Sequence, residues 1–259
     1  MKIALLSDST ADLPADLAEE LGVTLVPLWV TFQGVTHADW SDLSVPEMLA
    51  QVQGGAALPK TSQPTPADFA AAFERLLQTA DHVLAVHISA TLSGTAGASA
   101  LAARDFPGKV TVLDSGSATG GLALIVEHAA RMIQQGASLA AVTAALERLR
   151  HVVSIRFSVA TLDFLRKNGR IGAAQALLGS LLNVKPLLEF RDGVLHPLGR
   201  PRGAGRALQE TLDGVRAYLN QHGPSRAWFI YTQAREDVEP LRQACLNLGV
   251  REVRTHQAG

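Results

Sequence analysis

Three short runs restrict the fold more than any other feature of this chain. Ile3–Leu6, His82–Ile88 and Val110–Leu113 are almost continuously apolar, without the polar alternation of a half-exposed strand. Such runs are the signature of strands covered on both faces, as in a parallel sheet flanked by helices. Helical patterns fall between them. Pro14–Leu21 is amphipathic and stops at Gly22. Ser44-Val45-Pro46-Glu47 reads as a capping box opening a helix through Gln51. Thr65-Pro66-Ala67-Asp68 caps another, with Phe69, Phe73, Leu76 and Leu77 at helical spacing. Thr119–Gln135 and Ser138–Arg150 complete the helices of this half, and Thr24–Phe32 adds a strand. Strands alternating with helices predict an α/β fold with a doubly wound, mostly parallel sheet.

After about residue 150 the rhythm changes. Val152–Thr161 reads as a strand, and Leu162–Lys167 and Ile171–Leu182 as helices. Leu187–Phe190 and Val194–Leu198 then flank Arg191-Asp192-Gly193, a hairpin signal. A helix (Ala204–Asn220), a strand (Arg226–Thr232), a helix (Asp237–Leu248) and a strand (Val250–Thr255) follow. Two domains are expected: residues 1–150, a parallel α/β domain, and 151–259, an α+β domain with a mixed or antiparallel sheet. Charge divides at the same place. Residues 1–150 hold 8 basic and 15 acidic side chains, a net of −7; residues 151–259 hold 15 and 9, a net of +6.

Composition removes several classes of function. With 47% hydrophobic and only 18% charged residues, the chain can bury a large aliphatic core. A net charge of −1 argues against a surface for nucleic acid. One cysteine, Cys245, excludes a disulfide framework and a cysteine metal site, and no H-E-x-x-H or other ligand spacing occurs. No metal is expected. The uncharged run Leu21–Ala38 is broken by Pro27, Gln33, Gly34 and His37, so no stable membrane insertion is expected either. The first strand turns acidic at Asp8, too early for a leader core, and the expectation is a cytoplasmic protein. Nucleotide signatures are missing, and there is no G-x-S-x-G elbow.

What remains is a set of hydroxyl-rich turns. Ser7-Asp8-Ser9-Thr10, Ser89-Ala90-Thr91-Leu92-Ser93-Gly94-Thr95 and Asp114-Ser115-Gly116-Ser117 sit at the carboxyl ends of predicted strands, and Thr61-Ser62-Gln63-Pro64 precedes the helix capped by Thr65. Ligands of open parallel sheets bind beyond those strand ends. Hydroxyls beside the N–H groups of helix N-termini suit a small anion such as a carboxylate. Each turn taken alone is as well explained by capping. Arg166-Lys167-Asn168-Gly169-Arg170-Ile171 is a basic turn between two helical patterns. Arg166 and Lys167 suit a helix end, whereas Arg170 would open the next helix, where a cation opposes the dipole. Arg200 and Arg202 follow the hairpin and extend the basic character. Ile171–Leu182 has no charge at all, which fits a buried helix. Its Gly172 and Gly179 would also allow an apolar ligand to approach closely.

Taken in order, these segments resemble the DegV family of bacterial fatty-acid-binding proteins, the type that serves as the B subunit of fatty acid kinase. The carriers of the likeness are Ser7-Asp8-Ser9-Thr10-Ala11-Asp12-Leu13-Pro14, Thr61-Ser62-Gln63-Pro64-Thr65-Pro66, Ile88 to Thr95, Asp114-Ser115, Lys167-Asn168-Gly169-Arg170-Ile171 and Val184-Lys185-Pro186-Leu187-Leu188. The chain departs from the family pattern at Ala90, at Asn168 and at Ala258. The resemblance implies a two-domain α/β fold that holds a long-chain, palmitate-like fatty acid and needs no other cofactor. It implies that Thr61 and Ser93 hold the carboxylate. Ser62, Ser89, Gly94 and Thr95 would support them, and Arg170, Arg202 and His256 would help present the head group to an ATP-dependent fatty acid kinase subunit. The expected function is therefore non-catalytic lipid binding. The alternative is a hydrolase of acyl esters with Ser93 as nucleophile and His256 as base.

Overall fold

Leu6, Val83 and Ala85 pack with Phe69 and Phe73 in one cluster, while their strand neighbours Leu5, Leu84 and Val86 are just as deeply buried. Successive side chains of a strand face opposite ways, so this sheet is covered on both faces. The computed structural model describes residues 1–40, 43–177, 184–232 and 234–258, apart from the side chains of Glu252 and Val253. These fall into two units, Met1–Val153 and Ser154–Ala258.

The first unit contains β1 (Ile3–Asp8), α1 (Ala15–Leu21), β2 (Val23–Val26), β3 (Trp29–Phe32), β4 (Val35–Ala38), α2 (Val45–Gln53), β5 (Lys60–Ser62), α3 (Pro66–Leu77), β6 (His82–His87), α4 (Thr95–Ala103), β7 (Val110–Asp114), α5 (Thr119–Gln134) and α6 (Leu139–Leu149). Its main sheet is parallel in the order β2-β1-β6-β7. α3 and α4 cover the Leu6 face, and α5 packs on β1 from the other, backed by α1 and α6. This is the doubly wound arrangement that the alternation predicts.

One expected strand is two. Pro27 has no N–H to donate to a ladder, and the run Thr24–Phe32 breaks there. β2 ends at Val26 in the parallel sheet, while β3 enters a separate antiparallel sheet, β4-β3-β5. Gln33 (φ 50°) and Gly34 (φ 83°) turn β3 into β4 with positive φ at both positions, as a tight hairpin needs. This second sheet supplies β5, the strand that carries Thr61.

The second unit contains β8 (Ile155–Ser158), α7 (Asp163–Lys167), β9 (Leu187–Arg191), β10 (Val194–Gly199), α8 (Ala204–His222), β11 (Arg226–Tyr231), α9 (Glu239–Asn247) and β12 (Glu252–Gln257). β10-β9-β8 is antiparallel, its hairpin turned by Asp192 (φ 51°) and Gly193 (φ 74°). β11 and β12 form a separate parallel pair, beside a core of Leu212, Phe229, Val238, Cys245 and Val250. Burial pushes the Cys245 thiol up to about 11, so it is no thiolate nucleophile at neutral pH.

The basic turn differs from expectation. Gly172–Leu177 is a 3-10 helix rather than an α-helix, and residues 178–183, including Gly179, lie outside the described ones. Arg170 does not open a helix; it closes one. Gly169 is left-handed (φ 69°), its N–H reaches the Arg166 carbonyl, and the Arg170 N–H reaches that of Leu165. That pair of bonds is a Schellman stop to α7. The Arg170 guanidinium folds back to donate to the Asn168 carbonyl at 2.6 Å. A cation at a helix C-terminus is favourable, so the expected conflict with a helix dipole disappears. Among the described residues, no helix is long and apolar enough to cross a membrane.

Candidate functional site

In the first unit, β1, β6 and β7 end at Asp8, His87 and Asp114, and the hydroxyl turns begin there. Parallel pairing puts all three turns on one edge of the sheet. Their hydroxyls are not equivalent. Ser7 Oγ donates to the Val86 carbonyl at 2.7 Å, and Ser9 Oγ accepts the Leu28 N–H at 3.0 Å; both side chains are buried. Thr10 donates through N–H and hydroxyl to Asp8 Oδ1. Ser115 and Ser117 are buried in a turn closed on itself, with Ser115 Oγ donating to the Ser117 carbonyl. The first and third turns thus spend the Ser7, Ser9 and Ser115 hydroxyls on building the edge.

The other two turns differ. Thr61 and Ser62 lie exposed on β5, where Thr61 pairs with Val30 and Ser62 with Trp29. The next residue, Gln63, lays its side-chain amide on Gly94 so closely that a Cβ there would collide with it. Gly94 leaves room for this approach, which sets the Gln63 side chain against the Ser93 turn. Thr65 then starts α3 with a full capping box: its Oγ1 accepts the Asp68 N–H, and Asp68 Oδ2 accepts the Thr65 N–H at 2.8 Å.

Ser93 Oγ lies 2.8 Å from Thr95 Oγ1 at the start of α4, with Ser93 half-buried and Thr95 buried. Gly94 is the N-cap, and among the described residues no side chain caps α4. The first N–H groups of a helix have no partner within it and carry the positive end of its dipole, which favours an anion by about 0.3–1 kcal/mol. Ser89 is buried behind this turn, with Oγ 3.0 Å from Thr91 Oγ1 and its N–H donating to the Ser117 carbonyl at 2.8 Å. Thr61, Ser62, Ser89, Ser93, Gly94 and Thr95 therefore belong to one unit, and the Gln63 contact joins their two turns. Arg170, Arg202 and His256 belong to the second unit. Arg170 and Arg202 are exposed, the latter bridged to Val184, and His256 is half-buried on β12 opposite Ile230. Arg200 donates to the Ala176 carbonyl, which ties the segment after the hairpin to the 3-10 helix that follows the basic turn.

A buried polar chain lies beneath the turns, and nothing in the sequence pattern announces it. Asp8 Oδ2 lies 3.0 Å from His87 Nδ1 and accepts the Ile88 N–H at 3.0 Å; His87 Nε2 lies 2.8 Å from Ser99 Oγ. All three side chains are fully buried. The order Asp–His–Ser matches a hydrolase triad, but Ser99 sits within α4 with no exposed surface, so no ester can reach it. Ser93, the nucleophile of the alternative function, has Thr95 Oγ1 as its hydrogen-bond neighbour within the first unit. Near the same strand ends, burial raises the Asp39 carboxyl above its ordinary range, against hydrogen bonds from Ser9 and the Trp40 backbone that lower it. Among the described residues no group of His, Cys, Asp and Glu is arranged to hold a metal.

Comparison with known proteins adds an independent line. The DegV family model, described as "Uncharacterised protein, DegV family", matches residues 2–259. A DegV domain-containing protein of Deinococcus radiodurans is 45% identical over 260 residues, covering 100% of this chain and 92% of that protein. Among solved structures, a DegV family protein of Thermus thermophilus described for its fatty acid binding is 46% identical, with a TM-score of 0.96 over 100% of this chain and 93% of that one. DegV of Bacillus subtilis, described as a fatty acid binding protein, is 28% identical, with a TM-score of 0.86 over 100% and 93%. With the family model spanning the sequence from its second residue, the chain belongs to the DegV family.

Proposed function

We propose that this protein binds one long-chain fatty acid and presents its carboxyl group to a separate ATP-dependent kinase, without a catalytic step of its own. The carboxylate is held by the Thr61 and Ser93 hydroxyls. Ser62, Ser89, Gly94 and Thr95 shape their turns, and Arg170, Arg202 and His256 face the kinase step. The observation that carries this reading is the meeting of two hydroxyl turns, through Gln63 and Gly94, at the start of a helix without a side-chain cap. It is supported by the fatty acid binding of the Thermus thermophilus relative. The kinase step draws its support from the family resemblance and from the net charge of +6 on residues 151–259.

The energetics assign separate tasks to chain and head group. A chain of about 15 methylenes contributes on the order of 12 kcal/mol at about 0.8 kcal/mol each, before ordering costs. Hydrogen bonds to the carboxylate add roughly 1.5–3 kcal/mol each and decide which end faces the hydroxyls. Solvent extraction of purified protein, followed by mass spectrometry, should release fatty acid in stoichiometric amount. Thr61→Ala and Ser93→Ala should each weaken palmitate binding about ten- to a hundredfold at unchanged Tm. The Arg170→Ala, Arg202→Ala double mutant should still bind palmitate yet resist phosphorylation of the bound acid. Full affinity in the hydroxyl mutants would place the head group elsewhere, and wild-type phosphorylation of the arginine mutant would remove the arginines from the kinase step.

A further inference from the structure

We propose that His87 is the positioning residue of the carboxylate site, a buried neutral imidazole that locks together the elements carrying its hydroxyl turns. The proposal rests on the reading of Thr61 and Ser93 given above and names what holds those residues in place.

His87 touches three elements at once. Nδ1 faces Asp8 at the end of β1, Nε2 faces Ser99 on α4, and the ring meets Phe69 of α3 edge-on, with centroids 5.0 Å apart. α3 starts directly after the Thr61–Pro64 segment, and α4 starts at the Ser93–Thr95 turn. Ser99 is four residues beyond Thr95, on the same side of the helix, and both are fully buried. A shift of the imidazole therefore moves the base of both ligand-facing turns.

The hydrogen-bond inventory places a proton on Nδ1, and the proposal leaves Nε2 without one. Asp8 Oδ2 already accepts the Ile88 N–H, and Oδ1 accepts from Thr10, so the carboxylate is the acceptor and His87 Nδ1 the donor. With its single proton on Nδ1, a neutral ring leaves Nε2 to accept, and Ser99 Oγ–H donates to it. Every donor in the chain then has one acceptor. The polar direction runs from Ser99 through His87 to Asp8, with no hydrogen left over to compete for the fatty acid carboxylate. A fully buried network of this kind holds one geometry because each broken link leaves an unsatisfied group.

The test is the preference of the full chain for palmitic acid over hexadecanol, which has the same apolar tail but no carboxylate. Wild type should bind the acid more tightly. Ser99→Ala should lose about five- to tenfold of acid affinity with alcohol affinity unchanged, and Ser99→Thr should restore it. A purely structural role would lower both affinities together, and that result, or an undiminished preference in Ser99→Ala, overturns the positioning role. A wild type with no preference for the acid instead overturns the carboxylate site itself. A second measurement needs no variant. The 15N spectrum of the wild-type protein with labelled histidine should show His87 protonated at Nδ1 alone and shifted by palmitic acid but not by hexadecanol. A proton on Nε2, or an imidazolium, overturns the assignment.

Discussion

Two buried polar centres, one in each unit, are satisfied in opposite ways. In the first, Ser7, Asp8, Ser9, His87 and Ser99 are buried beneath the hydroxyl turns and satisfied by backbone groups and by one another. In the second, the buried polar centre is Glu189, 4% exposed, held by guanidinium groups that reach in from the surface: Arg156 at 2.9 Å and Arg191 at 3.5 Å, with the Ser154 hydroxyl at 2.9 Å. Short directional bonds shielded from water keep their geometry whatever the ionic strength. Ion pairs with half-exposed partners are weaker and screened by salt. The cluster beneath the hydroxyl turns is the one built for fixed geometry.

The largest effect is expected where that geometry rests on packing. Phe73 is fully buried beneath α3 and stacks near Phe69, with ring centroids 6.2 Å apart. Phe73→Ala should cost about 3–5 kcal/mol, read as a lower urea midpoint. A loss below about 1 kcal/mol would show that packing does not brace α3, and the contrast between the two polar centres would fail.

A smaller effect, of unexpected sign, tests the second unit. Gly214 lies inside α8, where helix propensity alone predicts that alanine stabilises by roughly 0.5–1 kcal/mol. The Arg156 guanidinium, however, occupies the space a Cβ would take. Gly214→Ala should push Arg156 off Glu189 and cost about 1–2 kcal/mol net, because the buried carboxylate loses a partner. A gain in stability would show that Arg191 and Ser154 suffice for Glu189.

The smallest effect concerns pH. Desolvation raises the Asp39 carboxyl above 3.8, its ordinary value, with the nearby Asp8 acting in the same direction. A carboxyl raised on folding adds stability below its unfolded pKa and loses that contribution as pH rises through the folded value. Asp39→Asn should therefore match wild type in acid and exceed it above the carboxylate range, in urea midpoints measured across a pH series. A mutant that is less stable than wild type at neutral pH would mean that the charged form of Asp39 is the one the fold uses.

Much of this molecule is written locally. Strands covered on both faces must be apolar at nearly every position, so β1, β6 and β7 are visible as runs. The Thr65–Asp68 capping box spans three residues, and the Asp192-Gly193 turn spans two, so each is legible without knowing the fold. Pro27 marks a break in Thr24–Phe32 that periodicity alone passes over. Thr61 and Ser93 stand out as hydroxyls, but their pairing comes from the family likeness, because β5 and the turn after β6 lie far apart in the chain. Only the tertiary structure decides which hydroxyls face a ligand and which are consumed by the edge they build. Asp8 and His87 are 79 residues apart and meet because β1 and β6 pair in one register. A shift of one residue would turn His87 to the other face of the sheet. Sequence pattern determines which segments can be buried; register and packing determine which side chains meet, because those contacts depend on distances that no local pattern encodes.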